Sequence, residues 1–223
     1  AAYSAVAAEF SARLQIDPWL IDPYFDHCQG VNFQTGVGMA CLAEKVSEVL
    51  DLVRMKYREH AITQTPYVVV KADAGTYGMG IMTVKDPEEL LRLNRKQRNK
   101  MSVIKEGQSV SDVLVQEGVH SFETVQEAEG EAVAEPVVYM IDKYVVGGFY
   151  RIHSTRGPDE NLNAPGAKFV PLPFMSGCQQ PELQEDPDAM PNRFYLYGVI
   201  SRLALLAASR ELESTHPAAR GPQ

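Results

Sequence analysis

The chain has 223 residues, of which 45% are hydrophobic and 22% charged, and its formal net charge at pH 7 is −8. This composition is typical of a globular protein, and the length is enough for one large domain or two small ones. The acidic balance argues against a broad surface for nucleic acid or membrane. It still leaves room for a local basic pocket that holds a phosphate.

Cysteine usage and the start of the chain predict a cytoplasmic protein. The chain has three cysteines, Cys28, Cys41 and Cys178. Their odd number and wide spacing predict reduced, partly buried thiols, and neither a zinc cluster nor a disulfide framework. Residues 1–10 lack an initiator Met and the pattern of a signal peptide, which suggests a fragment or a trimmed chain. The apolar residues 194–213 include charged side chains and predict a packed helix, not a membrane span.

In chain order, the first third of the sequence predicts two helices and then a hairpin. Residues 1–16 are helical and amphipathic, and the Asp-, Pro- and Gly-rich residues 17–38 predict a long loop. Residues 39–60 have apolar side chains at helical spacing, which predicts one amphipathic helix. The β-branched run 67–73 and residues 81–86 predict two strands on either side of a glycine-rich stretch.

The rest of the sequence predicts a mixture of strands and helices. Residues 86–100 predict a single helix, because Asp86, Pro87 and Glu89 form an N-terminal capping signature. The later elements are strands at 111–119, 135–141 and 144–154, with a turn at Asp142 and Lys143, then a proline-rich loop over 157–191 and a helix over 192–213. Without a regular βαβ alternation, this order favours an α+β fold with an antiparallel sheet.

The stretch KADAGTYGMGIM, residues 71–82, is the main candidate for a phosphate-binding element. Gly75 and Gly80 have the glycine spacing of a Walker loop, but Ile81 and Met82 follow where that loop needs Lys and Ser or Thr. The dinucleotide-binding pattern has a different glycine spacing, and both motifs lead into a helix where a strand is predicted here. Neither familiar phosphate motif therefore explains the stretch.

A hairpin that covers a triphosphate is the interpretation that we favour. Gly75, Gly78 and Gly80 would let backbone N–H groups approach a phosphate closely. Lys71, on the incoming strand, would place an ammonium at the same point. On these residues alone, a mobile hairpin tip with an exposed lysine is an equally good alternative.

Polar residues further along the chain follow in the order that a nucleotide site would need. Gln116 and Glu117 end a predicted strand, where backbone and side chain could hydrogen-bond an adenine edge. Alternation along a later strand places Phe149, Arg151 and His153 on one face. This order favours a nucleotide site over the blander alternatives for each motif.

A cluster of oxygen-bearing side chains follows in TRGPDENLNAPG. Asp159, Glu160, Asn161 and Asn163 offer the carboxylate and amide oxygens that Mg²⁺ takes in nucleotide sites. A solvated polar loop is the alternative interpretation of this cluster when it is considered alone.

The motifs in this order resemble the ATP-grasp superfamily. More specifically, VVVKADAGTYGMGIMTV, VQEGV, VVYMIDKYVVGGFYRIH and ENLNAPG resemble the proteobacterial ATP-grasp type of glutamate–cysteine ligase, over its later half. The resemblance implies an α+β, ATP-grasp-like fold with an antiparallel sheet, flanking helices and a glycine-rich hairpin flap. With this resemblance, the predicted domains are a helical and loop segment over 1–65, an ATP-grasp-like nucleotide-binding domain over 66–213 and a tail over 214–223.

The resemblance implies a ligase that uses ATP and Mg²⁺ to join glutamate to cysteine through an acyl phosphate, the first step of glutathione biosynthesis. The implied ATP-binding residues are Lys71, Gly75, Gly78, Gly80, Gln116 and Glu117; the implied catalytic residue is Arg151; the implied metal ligands are Glu160, Asn161 and Asn163. The partners would be small-molecule substrates, with no nucleic acid or membrane, and a homo-oligomer is compatible with the sequence. Alternatives are another ATP-grasp ligase, such as a glutathione synthetase, or a nucleotide-binding fragment without activity.

Overall fold

A computed structural model describes residues 2–73, 80–102, 111–128, 130–172 and 193–216, with the backbone alone at 193 and 194. In chain order the elements are α1 (Ala2–Leu14), a 3₁₀ helix (Pro18–Leu20), β1 (Phe25–Cys28), α2 (Met39–Glu59), β2 (Val68–Ala72), β3 (Ile81–Val84), α3 (Glu88–Leu91), α4 (Arg95–Ser102), β4 (Val113–Glu117), β5 (Thr124–Glu127), β6 (Gly130–Ile141), β7 (Tyr144–His153), β8 (Lys168–Pro171) and α5 (Arg193–Thr215). The fold is α+β, with antiparallel sheets and flanking helices, as predicted. No helix in the described ranges is long and apolar enough to cross a membrane.

The chain forms two compact units. The terminal unit consists of residues 1–22, 123–154 and 167–223, and the central unit consists of residues 23–122 and 155–166. Each unit has its own four-stranded antiparallel sheet, in the order β1-β4-β2-β3 in the central unit and β5-β6-β7-β8 in the terminal unit.

The core of the central unit lies between α2 and one face of its sheet. Strands β2 and β4 each alternate buried and half-buried residues, so that every second side chain faces α2. The residues that meet there are Leu42, Val46, Val49, Leu50 and Val53 of α2, Val68 and Val70 of β2, and Val113 and Val115 of β4. The alternation places Lys71 and Gln116 on the other face of the sheet.

The glycine-rich stretch connects two paired strands. Strands β2 and β3 are antiparallel, with Lys71 opposite Ile81, and the Ala72 N–H donates to the Gly80 carbonyl oxygen at 3.1 Å. A strand and not a helix follows Gly80, whose φ of 62° is in the left-handed region that glycine adopts readily. Gly75 and Gly78 lie outside the described residues.

The prediction of a single helix over residues 86–100 was wrong. The chain forms two helices, α3 and α4, and a second capping pair explains the interruption. The Asn94 side chain accepts from the Gln97 N–H at 2.9 Å, while the Gln97 side chain accepts from the Asn94 N–H, also at 2.9 Å. This reciprocal pair has the geometry of a capping box and starts α4 on its own axis.

Replacing Asn94 by alanine should lower the free energy of unfolding by about 1 kcal/mol, because α4 then loses its N-terminal cap. Urea unfolding followed by circular dichroism measures the loss. The exposed Lys96 of the same helix provides the control, since Lys96→Ala changes a helix residue without touching the cap. Equal midpoints for both variants would show that the capping pair does not stabilise α4.

Strands β1 and β8 were wrongly predicted as loop, and no element was predicted for the residues of a third strand, β5. All three lie at the edges of their sheets, and within the described residues each pairs with one neighbour. Strand β1 pairs with β4, with Cys28 opposite Val113. Strand β8 pairs with β7, with Phe169 opposite Arg151. Their sequences lack a clear apolar alternation, because few of their residues are buried.

The terminal unit combines its sheet with two packed helices. Helices α1 and α5 bury Val6 against Leu203 and Ala207, and a bidentate pair joins Arg210 to Glu9 at 2.7 and 2.9 Å. The predicted hairpin of β6 and β7 is confirmed, with Asp142 at a φ of 51° in its turn. A bulge between Tyr139 and Met140 shifts the register along the rest of the hairpin.

Candidate functional site

Lys71 and Gln116 form a polar pair on the open face of the central sheet. The Lys71 Nζ donates to the Gln116 Oε1 at 2.7 Å, from neighbouring strands β2 and β4. Both side chains are half-buried. Burial lowers the pKa of the Lys71 ammonium, and the charge of Asp73 acts in the opposite direction. Among the described residues no carboxylate forms an ion pair with Lys71, so its charge is free to meet an anionic ligand.

Glu117 lies beside Gln116 in sequence but on the opposite face of the sheet, as alternation requires. It is 5% exposed, and its Oε2 accepts from the Tyr24 N–H at 2.9 Å. Its own N–H donates to the Tyr24 carbonyl oxygen at 2.7 Å, which fixes the end of β4 to the chain that enters β1. The predicted contact of Glu117 with an adenine stays a prediction.

The residue after β4 is packed against an aromatic ring. The Gly118 N–H donates to the Tyr67 carbonyl oxygen at 2.8 Å, and the Tyr67 hydroxyl donates to the Val119 carbonyl oxygen at 2.9 Å. A Cβ atom at Gly118 would lie 2.0 Å from the Tyr67 Cε2. Only glycine therefore fits where β4 ends beside the Lys71–Gln116 pair.

A cleft of about 390 Å³ lies along β3 in the central unit. Its lining residues are Ile81, Met82, Thr83 and Lys85, Glu89 of α3, Gln97, Lys100 and Met101 of α4, and Arg156, Asp159, Glu160 and Asn161 of the polar loop. The fold thus brings two of the predicted metal ligands to one cleft, whereas Lys71 and Gln116 are not among its lining residues.

Ion pairs hold the polar loop, residues 155–166, in its conformation. Lys85 Nζ lies 2.5 Å from the Asp159 Oδ2, and Arg156 Nη1 donates to the Glu160 Oε1 at 2.8 Å. The hydrogen bond from Lys85 lowers the pKa of Asp159 despite the opposing effect of burial. Two hydrogen bonds lower the pKa of Glu160. The bond from the Gly157 N–H has the larger effect, and the bond from the Arg156 side chain has the smaller one. Both carboxylates are therefore held ionised, the form that a divalent cation needs.

The amide side chains of the loop lie next to these carboxylates in sequence. Asn161 Oδ1 accepts from the Asn163 N–H at 2.9 Å, which forms a local turn, and Asn163 is exposed. The set of carboxylate and amide oxygens matches Mg²⁺ in chemical type. Since each ionised carboxylate oxygen accepts more than one bond, the contacts with Arg156 and Lys85 leave coordination sites on Glu160 and Asp159.

Replacing Lys85 by methionine should lower the free energy of unfolding at pH 7 by roughly 0.2–1 kcal/mol, because the pair with Asp159 is partly exposed and water screens it. The folded-state pKa of Asp159 is lowered, so the pair stabilises the protein above the ordinary aspartate pKa of about 3.9. This contribution is lost as pH falls through the folded-state pKa.

Urea unfolding at pH 7 and at successively lower pH measures this effect, and the gap between the two proteins should close on acidification. Lys100→Met is the control, because it removes a cation from the same cleft and the described residues give Lys100 no ion pair. A gap of constant size down to the lowest pH would contradict the assignment to Asp159.

Arg151 lies in the terminal unit, on β7, directly opposite Glu135 of β6. Its Nη1 donates to the Glu135 Oε1 at 2.6 Å. Its Nε is buried and has no hydrogen-bond partner in the part of the chain that the structure describes. A guanidinium carries five N–H donors, so Arg151 keeps donor capacity for an anion.

The sequence did not single out Lys85, Arg156 or Glu135, although each contacts a predicted site residue. Lys85 and Arg156 look like ordinary surface cations in the sequence. The strand pattern indicated that β6 and β7 pair, but the bulge decides that Glu135 faces Arg151. Without the bulge, the turn at residues 142–143 would have placed Glu135 opposite Tyr150.

The chain is similar to known proteins of one enzyme family. A profile of the glutamate–cysteine ligase family matches residues 1–212. A crystal structure from Methylobacillus flagellatus KT, described as a "putative gamma-glutamylcysteine synthetase", is similar with a TM-score of 0.82 and 58% sequence identity. The similarity covers 96% of this chain and 50% of that chain, so this chain spans about half the length of that protein. No curated protein matches the chain.

Proposed function

Because the chain belongs to the glutamate–cysteine ligase family, we propose that it supplies the nucleotide-binding part of an enzyme that joins glutamate to cysteine at the expense of ATP. The family match over residues 1–212 carries this proposal. The similarity in fold to a solved protein of the same described activity, at 58% identity, supports it. We propose an ATP-grasp-like fold for this part, with the β2–β3 hairpin and its glycines as the flap over the phosphates.

Formation of an amide bond needs an activated carboxylate, since a free carboxylate is a poor electrophile. ATP would supply the activation by phosphorylating the side-chain carboxylate of glutamate, and the amine of cysteine would then displace phosphate. The protein's share of such a reaction is mainly to position the groups and to neutralise phosphate charge. Lys71 and Arg151 are suited to that task, because both are cations and hydrogen-bond donors.

Lys71 is the residue that we assign to the phosphates of ATP. Its ammonium is half-buried, and its bond at 2.7 Å is to the neutral Gln116 side chain. A desolvated cation without a carboxylate partner gains more from an anionic ligand than an exposed lysine would. Backbone N–H groups of Gly75, Gly78 and Gly80 would add further donors, and Gln116 and Glu117 would bind the base.

Arg151 is the residue that we assign to charge neutralisation during the reaction. The ion pair with Glu135 at 2.6 Å fixes one arm of the guanidinium, and the buried Nε remains without a partner among the described residues. The other N–H groups of a guanidinium held in this way are suited to an oxyanion, because they need little reorganisation when charge develops.

Glu160, Asn161 and Asn163 are the residues that we assign to Mg²⁺. The lowered pKa of Glu160 keeps its carboxylate ionised, and the two asparagines add neutral oxygens within the same turn. Bound Mg²⁺ would neutralise phosphate charge. The ion pairs of Asp159 with Lys85 and of Glu160 with Arg156 position this loop.

Calorimetry with a non-hydrolysable ATP analogue and Mg²⁺ tests the nucleotide site in this chain. Saturable binding that needs Mg²⁺ is the expected result, and an absence of binding in a folded sample would contradict the assignment. Phosphate release with glutamate and cysteine, measured for this chain and for a longer version of the protein, tests the reaction. Release that requires other amino acids or peptides in place of glutamate and cysteine would indicate a different ligase.

A further inference from the structure

Two cysteines that are distant in sequence lie together in the central unit. The Cys28 thiol donates to the Cys41 Sγ at a sulfur–sulfur distance of 3.5 Å. Cys28 ends β1 and is 3% exposed, whereas Cys41, in the first turn of α2, is exposed. We propose that Cys28 and Cys41 form a reversible dithiol–disulfide site that small-molecule disulfides oxidise.

A second contact between the same two elements holds the thiols in place. Asp26 lies two residues before Cys28, on the same face of β1, and Lys45 lies one turn after Cys41 on α2. The Lys45 Nζ lies 3.1 Å from the Asp26 Oδ2. The ion pair and the thiol contact therefore run side by side between β1 and α2. The position of each sulfur is set by structure that surrounds it and not by chance proximity of two loops.

The segment between the two cysteines is also constrained. The Asn32 N–H donates to the Val37 carbonyl oxygen at 2.9 Å, and the Gly36 N–H donates back to the Asn32 carbonyl oxygen at 2.9 Å. Gly38 has a φ of 76°, and a Cβ atom there would lie 2.9 Å from the Gly30 carbonyl oxygen. This tight loop brings the start of α2 back to the end of β1. A disulfide needs the sulfur atoms to approach by a further 1.5 Å, about the difference between 3.5 Å and a bond length near 2.05 Å.

The different exposure of the two thiols sets the order of the reaction. Cys41 is accessible, so its thiolate attacks the small disulfide, forms a mixed disulfide and expels one small thiolate. The Cys28 thiolate then attacks the Cys41 sulfur, forms the Cys28–Cys41 bond and expels the second small thiolate. Two electrons pass from the protein thiols to the small disulfide, and the two cysteine protons end on the released thiols.

The protonation state of Cys28 makes the second step depend on pH. Burial, reinforced by the hydrogen bond and charge of Cys41, raises the pKa of Cys28 to about 11. Lys45 lowers this pKa and Asp26 raises it, but the net shift is upward. In the mixed disulfide the contribution of Cys41 is lost, but burial still favours the protonated Cys28 thiol, so closure of the disulfide should accelerate as pH rises.

Oxidised glutathione is the probe for the experiment, with Cys178→Ser as the background so that only this pair of thiols remains. After incubation, intact mass should show the loss of two hydrogen atoms, with no glutathione retained. Non-reducing peptide mapping should link Cys28 to Cys41, and dithiothreitol should restore both thiols. In the same background, Cys28→Ser should keep one glutathione on Cys41, because the resolving thiol is gone.

Cys41→Ser provides the matched control at an exposed position, where the fold tolerates the change. This variant should remain unmodified, because the single thiol left is buried. The proposal is overturned if the background protein keeps both thiols free, or retains a glutathione adduct, under conditions that modify Cys28→Ser. None of these readouts needs ATP or the free amino acids glutamate and cysteine, so the result is independent of the proposed function.

Discussion

Replacing Lys71 by methionine should weaken binding of a Mg²⁺-loaded ATP analogue by about tenfold or more. A lost charge-assisted hydrogen bond costs roughly 1.5–3 kcal/mol, and each 1.4 kcal/mol is about a factor of ten in affinity. Methionine keeps the apolar stem that is half-buried on the open face of the sheet, so the change removes mainly the charge. Isothermal titration of both proteins gives the two dissociation constants.

The matched control for this prediction is Lys96→Met, which removes the same charge from an exposed position on α4. Thermal unfolding of all three proteins separates a binding effect from a stability effect, because Gln116 loses its partner at 2.7 Å in the Lys71 variant. If the Lys71 variant binds the analogue as tightly as the Lys96 variant does, the assignment of Lys71 to the phosphates is wrong.

Replacing Gly118 by alanine should lower the free energy of unfolding by about 1–3 kcal/mol, the usual cost of an overpacked site. The new methyl carbon would lie 2.0 and 2.2 Å from two ring carbons of Tyr67. The ring cannot move aside cheaply, because it is 4% exposed and its hydroxyl is bonded to the Val119 carbonyl oxygen. Its edge also contacts the His120 ring at a centroid distance of 5.0 Å.

Chemical denaturation measures this loss, and Gly147→Ala is the control, since a Cβ atom there meets nothing within 4 Å. A double variant, Tyr67→Val with Gly118→Ala, should lose less stability than the sum of the two single variants, because the valine removes the ring atoms that clash. Strict additivity would show that the ring does not exclude a side chain at Gly118.

The central strands could be predicted from the sequence because their own residues carry the signal. Strand β2 begins with three consecutive valines, β4 alternates valines with other residues, and α2 repeats apolar residues at helical spacing, so each element can be recognised from its own residues. The edge strands β1, β5 and β8 carry no such pattern, because few of their residues are buried. Sheet order, which depends on the whole chain, could not be predicted from any single segment.

The candidate site was predictable in residue type but not in its contacts. The order of Lys71, the glycines and Gln116 indicated a nucleotide site, but only the sheet order β4-β2 places the lysine beside the glutamine. The partners of Asp159 and Arg151 depend on how a late loop folds back and on one bulge in a hairpin. Both are properties of packing that no local pattern of residues reports.

The route of the chain through its two units has a consequence for how the protein is made. Helix α1 is synthesised before α5, yet the two helices join through a contact between residues 201 positions apart. The central sheet emerges in between, but the cleft along β3 stays open until Asp159 has been synthesised and reaches Lys85. The nascent protein therefore exposes the edge strand β3 while the residues between Lys85 and Asp159 are translated. This takes roughly 4–15 s at 5–20 residues per second.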